Sequence, residues 1–172
     1  MTMKLKDIEI RPATEGDAPL ILNFIKKLAL YEKLAHKVTA NEDILRETLF
    51  GDRPYAEVVI GYHSGEPVGF ALFFHNYSTF LGKPGIYLED LFVDEEHRGK
   101  GFGKALLAYL ARLTKERNCG RLEWAVLNWN EPSINFYKAL GAAPMNEWTV
   151  FRVTGDALDK LANVGVDDVM KQ

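Results

Sequence analysis

The sequence contains a single cysteine, Cys119, among its 172 residues. One cysteine cannot form a disulfide within the chain, and such a composition is typical of a reducing, cytoplasmic setting. No apolar stretch approaches the roughly 20 residues that a membrane span requires. The opening residues, MTMKLKDIEI, also lack the apolar core of a signal peptide. We therefore expect a protein that does not associate with membranes.

The sequence also lacks a large excess of either positive or negative charge. The chain has 21 Lys and Arg against 24 Asp and Glu, a net charge of −3, which argues against a general nucleic-acid binder. The four histidines and Cys119 do not show the spacing of metal ligands, so no metal is expected. The sequence shows no internal repeat, low-complexity tract or linker, and it predicts one domain over residues 1–172.

The hydrophobic pattern predicts strands and helices in a mixed order. Strands are predicted over 7–11, 55–62, 67–75, 86–93, 121–127 and 148–153. Helices are predicted from 14 or 15 to 33, over 42–50, from 102 to about 118, from 130 to 140 and over 156–162. This order indicates an α/β (α+β) protein, with helices packed on a mixed sheet.

A glycine-rich segment, RGKGFG at 98–103, lies between a predicted strand and a predicted helix. It is not a P-loop, because Ala105 follows Gly103-Lys104 and Arg98 occupies the place of the first glycine. It is not the dinucleotide fingerprint either, because Lys104 stands where the third glycine belongs. Free backbone N–H groups at a helix start suit a diphosphate. The glycines alone are equally compatible with a flexible turn bearing solvated lysines.

Two further segments accompany the glycines: LEDLFV at 88–93 and WNEPSINFYKALGA at 129–142. Together the three resemble the acetyl-CoA loop, preceding strand and following helix of the GNAT superfamily of N-acetyltransferases, whose loop pattern is Gln/Arg-x-x-Gly-x-Gly/Ala. The resemblance runs from IRPAT to FRV, residues 10–153. It is greatest to the spermidine/spermine (diamine) acetyltransferase branch, and within that branch to members acting on thialysine and other small amines.

The resemblance implies the GNAT fold, a central mixed, mostly antiparallel sheet with a V-shaped splay between strands 4 and 5. It also implies transfer of an acetyl group from acetyl-CoA to a primary amine by direct attack in a ternary complex. The acceptor would be a small diamine, a polyamine or a thialysine- or lysine-like molecule, and the enzyme would be a homodimer. A protein or peptide N-acetyltransferase and a non-catalytic acyl-CoA sensor are the alternatives.

Two catalytic roles follow from the resemblance. Tyr137 matches the general acid that protonates the departing thiolate, although its helical face with Ile134 and Leu140 also suits core packing. Glu89 matches the carboxylate that accepts the amine proton, through water. Strand alternation places Glu89 and Asp90 on opposite faces, so both can serve one cleft only if a bulge lies beside them. A structural ion pair is the alternative for Asp90.

Coenzyme contacts are implied along the strand, the glycine loop and the following helix. The N–H of Phe92 is the candidate donor to the acetyl carbonyl, and Asn130 is expected to cap its helix as well. The full set comprises Leu91, Phe92, Val93, Arg98, Gly99, Lys100, Gly101, Phe102, Gly103, Lys104, Asn130, Ser133 and Tyr137.

The amine site is implied more loosely. Its matching residues are Tyr31, Glu32, Phe80, Glu89, Asp90, Glu147 and Trp148, the last two in a patch that reaches the partner subunit in the family. Core packing is the alternative for Trp148. Ser78 stands where the polyamine-specific relatives carry an acidic residue, which favours an amine smaller than spermidine.

Overall fold

The computed structural model describes residues 2–5 and 7–165. The chain divides into two compact units, the first ending at Ala125 and the second beginning at Val126. The single-domain organisation stays a prediction. Within the described residues, no helix has the length and apolar character needed to span a bilayer.

The first unit is built on a six-stranded sheet whose spatial order equals the chain order. Neighbouring strands are antiparallel except for the last pair, which is parallel. The predicted mixed, mostly antiparallel sheet is therefore confirmed. Its strands are β1 (Met3–Leu5), β2 (Ile8–Pro12), β3 (Glu57–His63), β4 (Glu66–Ser78), β5 (Lys83–Val93) and β6 (Leu122–Trp124). β1 was not predicted, and β6 is shorter than the predicted strand 121–127.

Three helices belong to this unit: α1 (Ala18–Tyr31), α2 (Glu42–Phe50) and α3 (Phe102–Glu116). The bounds of α2 agree with the prediction because both of its ends are marked by local chemistry. The Asn41 side chain accepts a hydrogen bond from the Ile44 N–H at 2.9 Å, as a helix N-cap does, and Gly51 follows the last turn.

The two faces of the sheet are covered by different helices. On one face, α1 and α2 pack on side chains of β3, β4 and β5, and the buried rings of Phe24 and Phe70 stack 5.5 Å apart. Burial of each such ring contributes about 2–3 kcal/mol. On the other face, α3 packs against the sheet through buried leucines such as Leu106 and Leu110. This places the start of α3 beside the end of β5.

The second unit contains α4 (Glu131–Ala139) and α5 (Asp156–Ala162). The strand predicted over 148–153 is absent, and that prediction is wrong for the described chain. Trp148 is 71% exposed and Phe151 is 90% exposed. The run of aromatic and β-branched residues indicated a strand, but a strand forms only where a neighbouring strand accepts its hydrogen bonds. No strand forms anywhere in residues 126–165.

Candidate active site

The candidate site begins where β5 extends beyond the end of β6. The β5–β6 ladder pairs Ile86 with Leu122 and ends at Leu88 with Trp124. On its other edge β5 stays paired with β4 to its end, where Gly69 is opposite Val93. The main chain of residues 91–93 therefore runs past the end of β6. This opening lies between β5 and β6. It corresponds to the splay that the resemblance implied between the fourth and fifth predicted strands, 86–93 and 121–127.

A β-bulge lies at the carboxylates of β5. Leu72 is opposite Asp90, and the next residue of β4, Phe73, is opposite Leu88, so Glu89 is the extra residue. Residues two apart normally share a sheet face. The bulge breaks this rule, so Asp90 joins Leu72 on the face covered by α1 and α2 instead of following Leu88. The condition set for Glu89 and Asp90 to serve one cleft is thus met.

Three carboxylates form an acidic cluster: Glu32, Glu89 and Asp90. Glu32 directly follows α1 as its C-cap residue, Glu89 is exposed, and Asp90 is half-buried. Burial, together with the charges of Glu89 and Glu32, raises the pKa of Asp90 to about 6. Burial also raises the pKa of Glu32. A cation bound at the cluster would relieve this unfavourable charge, and such perturbed groups are typical of functional sites.

The glycine loop leaves a helix start without a side-chain cap. Gly101 is the N-cap of α3, and glycine has no side chain with which to accept from the first-turn N–H groups of Phe102, Gly103 and Lys104. Gly99 and Gly101 have φ of +72° and +92°, and a Cβ at either would meet nothing within 4 Å. The loop thus presents N–H donors, helix-dipole charge and open space, which fit a diphosphate.

Some side chains of the glycine loop are exposed to solvent, and one is buried in the core. Lys100 and Lys104 are exposed, where their charges can act on an anion. Phe102, included above among the coenzyme contacts, is 4% exposed. Its ring lies 5.4 Å from that of His63 and 5.8 Å from that of His97. Only the backbone of Phe102 therefore remains suited to a coenzyme contact.

Arg98 connects three parts of this unit. Its Nε donates a hydrogen bond to the Val93 carbonyl at 3.0 Å. Its guanidinium carbon lies 4.5 Å from the ring centroid of Tyr31 and 5.6 Å from that of Phe92, within the range of a cation–π contact. Sequence reasoning assigned Arg98 and Tyr31 to different sites and contained no signal that they touch.

The second unit carries the candidate acid. The Asn130 side chain accepts a hydrogen bond from the Ser133 N–H at 3.4 Å, which confirms the predicted cap of α4. Gly141 follows the helix with φ +88°, as an αL C-terminal cap requires. Tyr137 is half-buried on α4, and its ring lies 5.4 Å from that of Phe136. The acid role of Tyr137 stays a prediction.

Three predicted amine-site residues lie on exposed parts of the chain. Phe80, in the connection between β4 and β5, is 96% exposed. Asp90 lies seven positions after Lys83, the first residue of β5, which is about 23 Å of strand, so one chain does not bring Phe80 to the acidic cluster. Glu147 and Trp148 are exposed too, so Trp148 does not pack in a core of the second unit.

Ser78 has a local role that the sequence did not reveal. The residue is buried, and its Oγ accepts a hydrogen bond from the Leu81 N–H at 3.3 Å in the turn after β4. An acidic side chain at this position would have to leave the turn to reach an amine. Across residues 2–5 and 7–165, no three His, Cys, Asp or Glu side chains form a group able to hold a metal ion.

Comparison with known proteins identifies the family. The model of the acetyltransferase (GNAT) family matches residues 25–142. The chain is 39% identical to the thialysine N-epsilon-acetyltransferase of Bos taurus over 166 residues, covering 90% of this chain and 97% of the relative. It is 34% identical to the L-ornithine N5-acetyltransferase of Arabidopsis thaliana over 202 residues, covering 91% and 89%.

A solved structure shows the same fold. An integron cassette protein from the mobile metagenome of V. cholerae superposes with a TM-score of 0.78 at 27% identity, over 93% of this chain and 100% of that one. The chain belongs to the GNAT acetyltransferase family. More particularly, the protein is an N-acetyltransferase that acts on amines, as the named relatives indicate.

Proposed function

We propose that the enzyme transfers the acetyl group of acetyl-CoA to the side-chain amine of a small diamino compound of the thialysine, ornithine or lysine type. The observation that carries the proposal is the acidic cluster of Glu32, Glu89 and Asp90 beside the splayed end of β5. A half-buried carboxylate beside two others favours a cation, and the nearby uncapped start of α3 favours an anion. The two sites thus suit an ammonium group and a diphosphate.

Binding of the coenzyme is supported by the open glycine loop and by the strand end. The N–H groups of Phe102, Gly103 and Lys104 would receive the diphosphate, with the charges of Lys100 and Lys104 assisting. The main chain of residues 91–93 would pair with the pantetheine arm. When bound, acetyl-CoA supplies the thioester whose carbonyl carbon is attacked. The N–H of Phe92 is the proposed donor to the carbonyl oxygen.

Three proton transfers are proposed, one to Glu89, one from Tyr137 and one back to Tyr137. A free amine attacks, and an ammonium group does not, so one proton must leave the substrate nitrogen. Glu89 is exposed at the bulge and would accept that proton through water, while Glu32 and Asp90 hold the charged form. The C–S bond breaks as the C–N bond forms, and the Tyr137 hydroxyl would protonate the departing sulfur. The second proton, which the nitrogen loses on becoming an amide, would return to the Tyr137 oxygen.

The number of carboxylates in the acidic cluster favours a small amine substrate. Three carboxylates suffice for one ammonium group and a second amine nearby, and Ser78, buried in the turn after β4, adds no further charge. The two relatives named above carry names that specify diamino acids. A short diamino compound is therefore the preferred substrate class over spermidine or spermine.

A homodimer is part of the proposal. Phe80, Trp148 and Phe151 expose large apolar side chains, which favour burial against another chain. Since Phe80 lies far from the acidic cluster of its own chain, a second copy would have to bring it to an amine site.

We place the enzyme in the cytoplasm on the grounds of its single cysteine.

An amine panel tests the proposal. The enzyme is incubated with acetyl-CoA and, separately, thialysine, ornithine, lysine, putrescine, spermidine, spermine and a lysine-containing peptide, while release of free thiol is followed. We expect the highest kcat/KM for a diamino acid. Turnover of the peptide alone would instead indicate a protein acetyltransferase, and coenzyme binding without turnover of any acceptor would indicate an acyl-CoA sensor.

A further inference from the structure

The side chain of Arg98 leaves the glycine loop and lies over α1. Arg98 directly precedes Gly99 in the loop proposed to bind the diphosphate, yet its guanidinium is 4.5 Å from the ring of Tyr31. Tyr31 is the last residue of α1, and Glu32 of the acidic cluster comes next. One cationic group thus connects the coenzyme loop to the helix end that borders the amine site.

The contact is anchored on more than one side. The Nε of Arg98 donates to the Val93 carbonyl at 3.0 Å, and the guanidinium also approaches the buried ring of Phe92 at 5.6 Å. A planar guanidinium can stack on an aromatic face and donate a hydrogen bond at the same time, whereas a lysine ammonium is a point charge on a flexible stem. The residue type therefore matches the three contacts.

We propose that Arg98 is a positioning residue that couples occupation of the coenzyme loop to occupation of the amine site. This inference rests on the proposed function. Glu32 directly follows Tyr31 in the chain, so the guanidinium stacked on the Tyr31 ring holds in place the end of α1 that carries Glu32. An anion held at the loop fixes the backbone from which Arg98 projects, and with it the contact between Arg98 and Tyr31. Coenzyme binding therefore strengthens amine binding, and by linkage the amine strengthens coenzyme binding by the same factor.

The test measures that factor directly. The dissociation constant of thialysine is determined calorimetrically for the dimeric or monomeric enzyme as purified, without ligand and with saturating coenzyme A. Free coenzyme A replaces acetyl-CoA so that no turnover occurs. For the wild-type enzyme we expect coenzyme A to tighten thialysine binding by at least about five-fold, the lower end of typical coupling. In Arg98→Gln the factor should fall to nearly one.

Lys100→Gln is the matched control, because it removes the same charge two residues further along the same loop. It should weaken coenzyme A binding and yet keep the wild-type coupling factor. Arg98→Lys, which keeps the charge but not the planar stack, should fall between Arg98→Gln and wild type.

The outcomes separate this inference from the proposed function. If wild-type enzyme acetylates thialysine but shows no coupling, or if Arg98→Gln and Lys100→Gln reduce the factor equally, Arg98 has no special coupling role and the inference is overturned. If wild-type enzyme neither binds nor acetylates thialysine while turning over a different class of acceptor, the proposed substrate is wrong, and the inference falls with it.

Discussion

Asp90 lies opposite Leu72 in the β4–β5 ladder, on the sheet face that α1 and α2 cover. This pairing is possible because Glu89 is taken up as the extra residue of a bulge. In a regular strand Glu89 would point to the face opposite Asp90 and Phe92, and the bulge removes that alternation at Glu89. The geometry of one irregular residue thus assembles the acidic cluster on which the proposed amine site depends.

Replacement of Glu89 tests its role as proton acceptor. Glu89→Gln keeps the size of the side chain and removes its basicity, so kcat should fall by about 100-fold, the lower end for general base catalysis. The KM for acetyl-CoA should change little. Steady-state kinetics with the best amine of the panel measures both values.

Glu116→Gln is the control for that experiment, because Glu116 is an exposed residue at the end of α3 and lies outside the proposed site. Its kcat should equal that of wild type. A Glu89→Gln enzyme with undiminished kcat would remove Glu89 from the reaction.

The ionised carboxylate of Asp90 should destabilise the fold at pH values above the pKa of this residue. Between pH 4 and 6 the folded protein holds a proton on Asp90 that the unfolded chain has released, since the folded pKa is about 6 and the ordinary value is 3.8. Stability therefore falls as pH rises through this window, by roughly 3 kcal/mol for two pH units. Asp90→Asn should lose this fall and gain stability relative to wild type as pH rises to 7.

Urea unfolding at pH 4.5, 6 and 7.5 measures the effect. The stability difference between Asp90→Asn and wild type should grow from pH 4.5 to 6 and change little beyond 7. Asp52→Asn, at an exposed position, serves as the control. If the stability difference between Asp90→Asn and wild type did not depend on pH, Asp90 would have the same pKa in the folded and unfolded states, and the prediction would be contradicted.

The glycine loop can be tested by matched alanine variants. Gly101 and Gly65 have φ of +92° and +88°, and a Cβ at either meets nothing within 4 Å. Alanine in this region is strained by about 1–2 kcal/mol, so both variants should lose similar stability. Only Gly101→Ala adds a methyl group where the diphosphate is proposed to lie, and its KM for acetyl-CoA should rise about ten-fold or more. Equal KM values for the two variants would reduce the loop to a turn.

The proposed acid is tested by removing one oxygen. Tyr137→Phe should lower kcat by about 100-fold, because the thiolate would leave without a positioned proton donor. Its KM for the amine should stay near the wild-type value. Tyr55→Phe, at an exposed tyrosine, should be indistinguishable from wild type. An equally active Tyr137→Phe enzyme would favour the packing role that the helical face of α4 also allows.

The sequence by itself determined the elements whose ends are set by neighbouring residues. Asn41 and Gly51 bound α2, Asn130 caps α4, and the glycines precede α3. These features arise from contacts three or four residues apart, so they can be recognised in one sequence. The mixed, mostly antiparallel sheet was also predicted correctly.

Tertiary structure alone decided how the site is assembled. The bulge at Glu89 depends on the register against β4, and the opening beside residues 91–93 depends on where β6 ends. The approach of Arg98 to Tyr31 joins positions 67 residues apart in sequence. The segment 148–153 has the composition of a strand but forms none. Pairing and stacking between distant segments set these features, and local propensity does not contain that information.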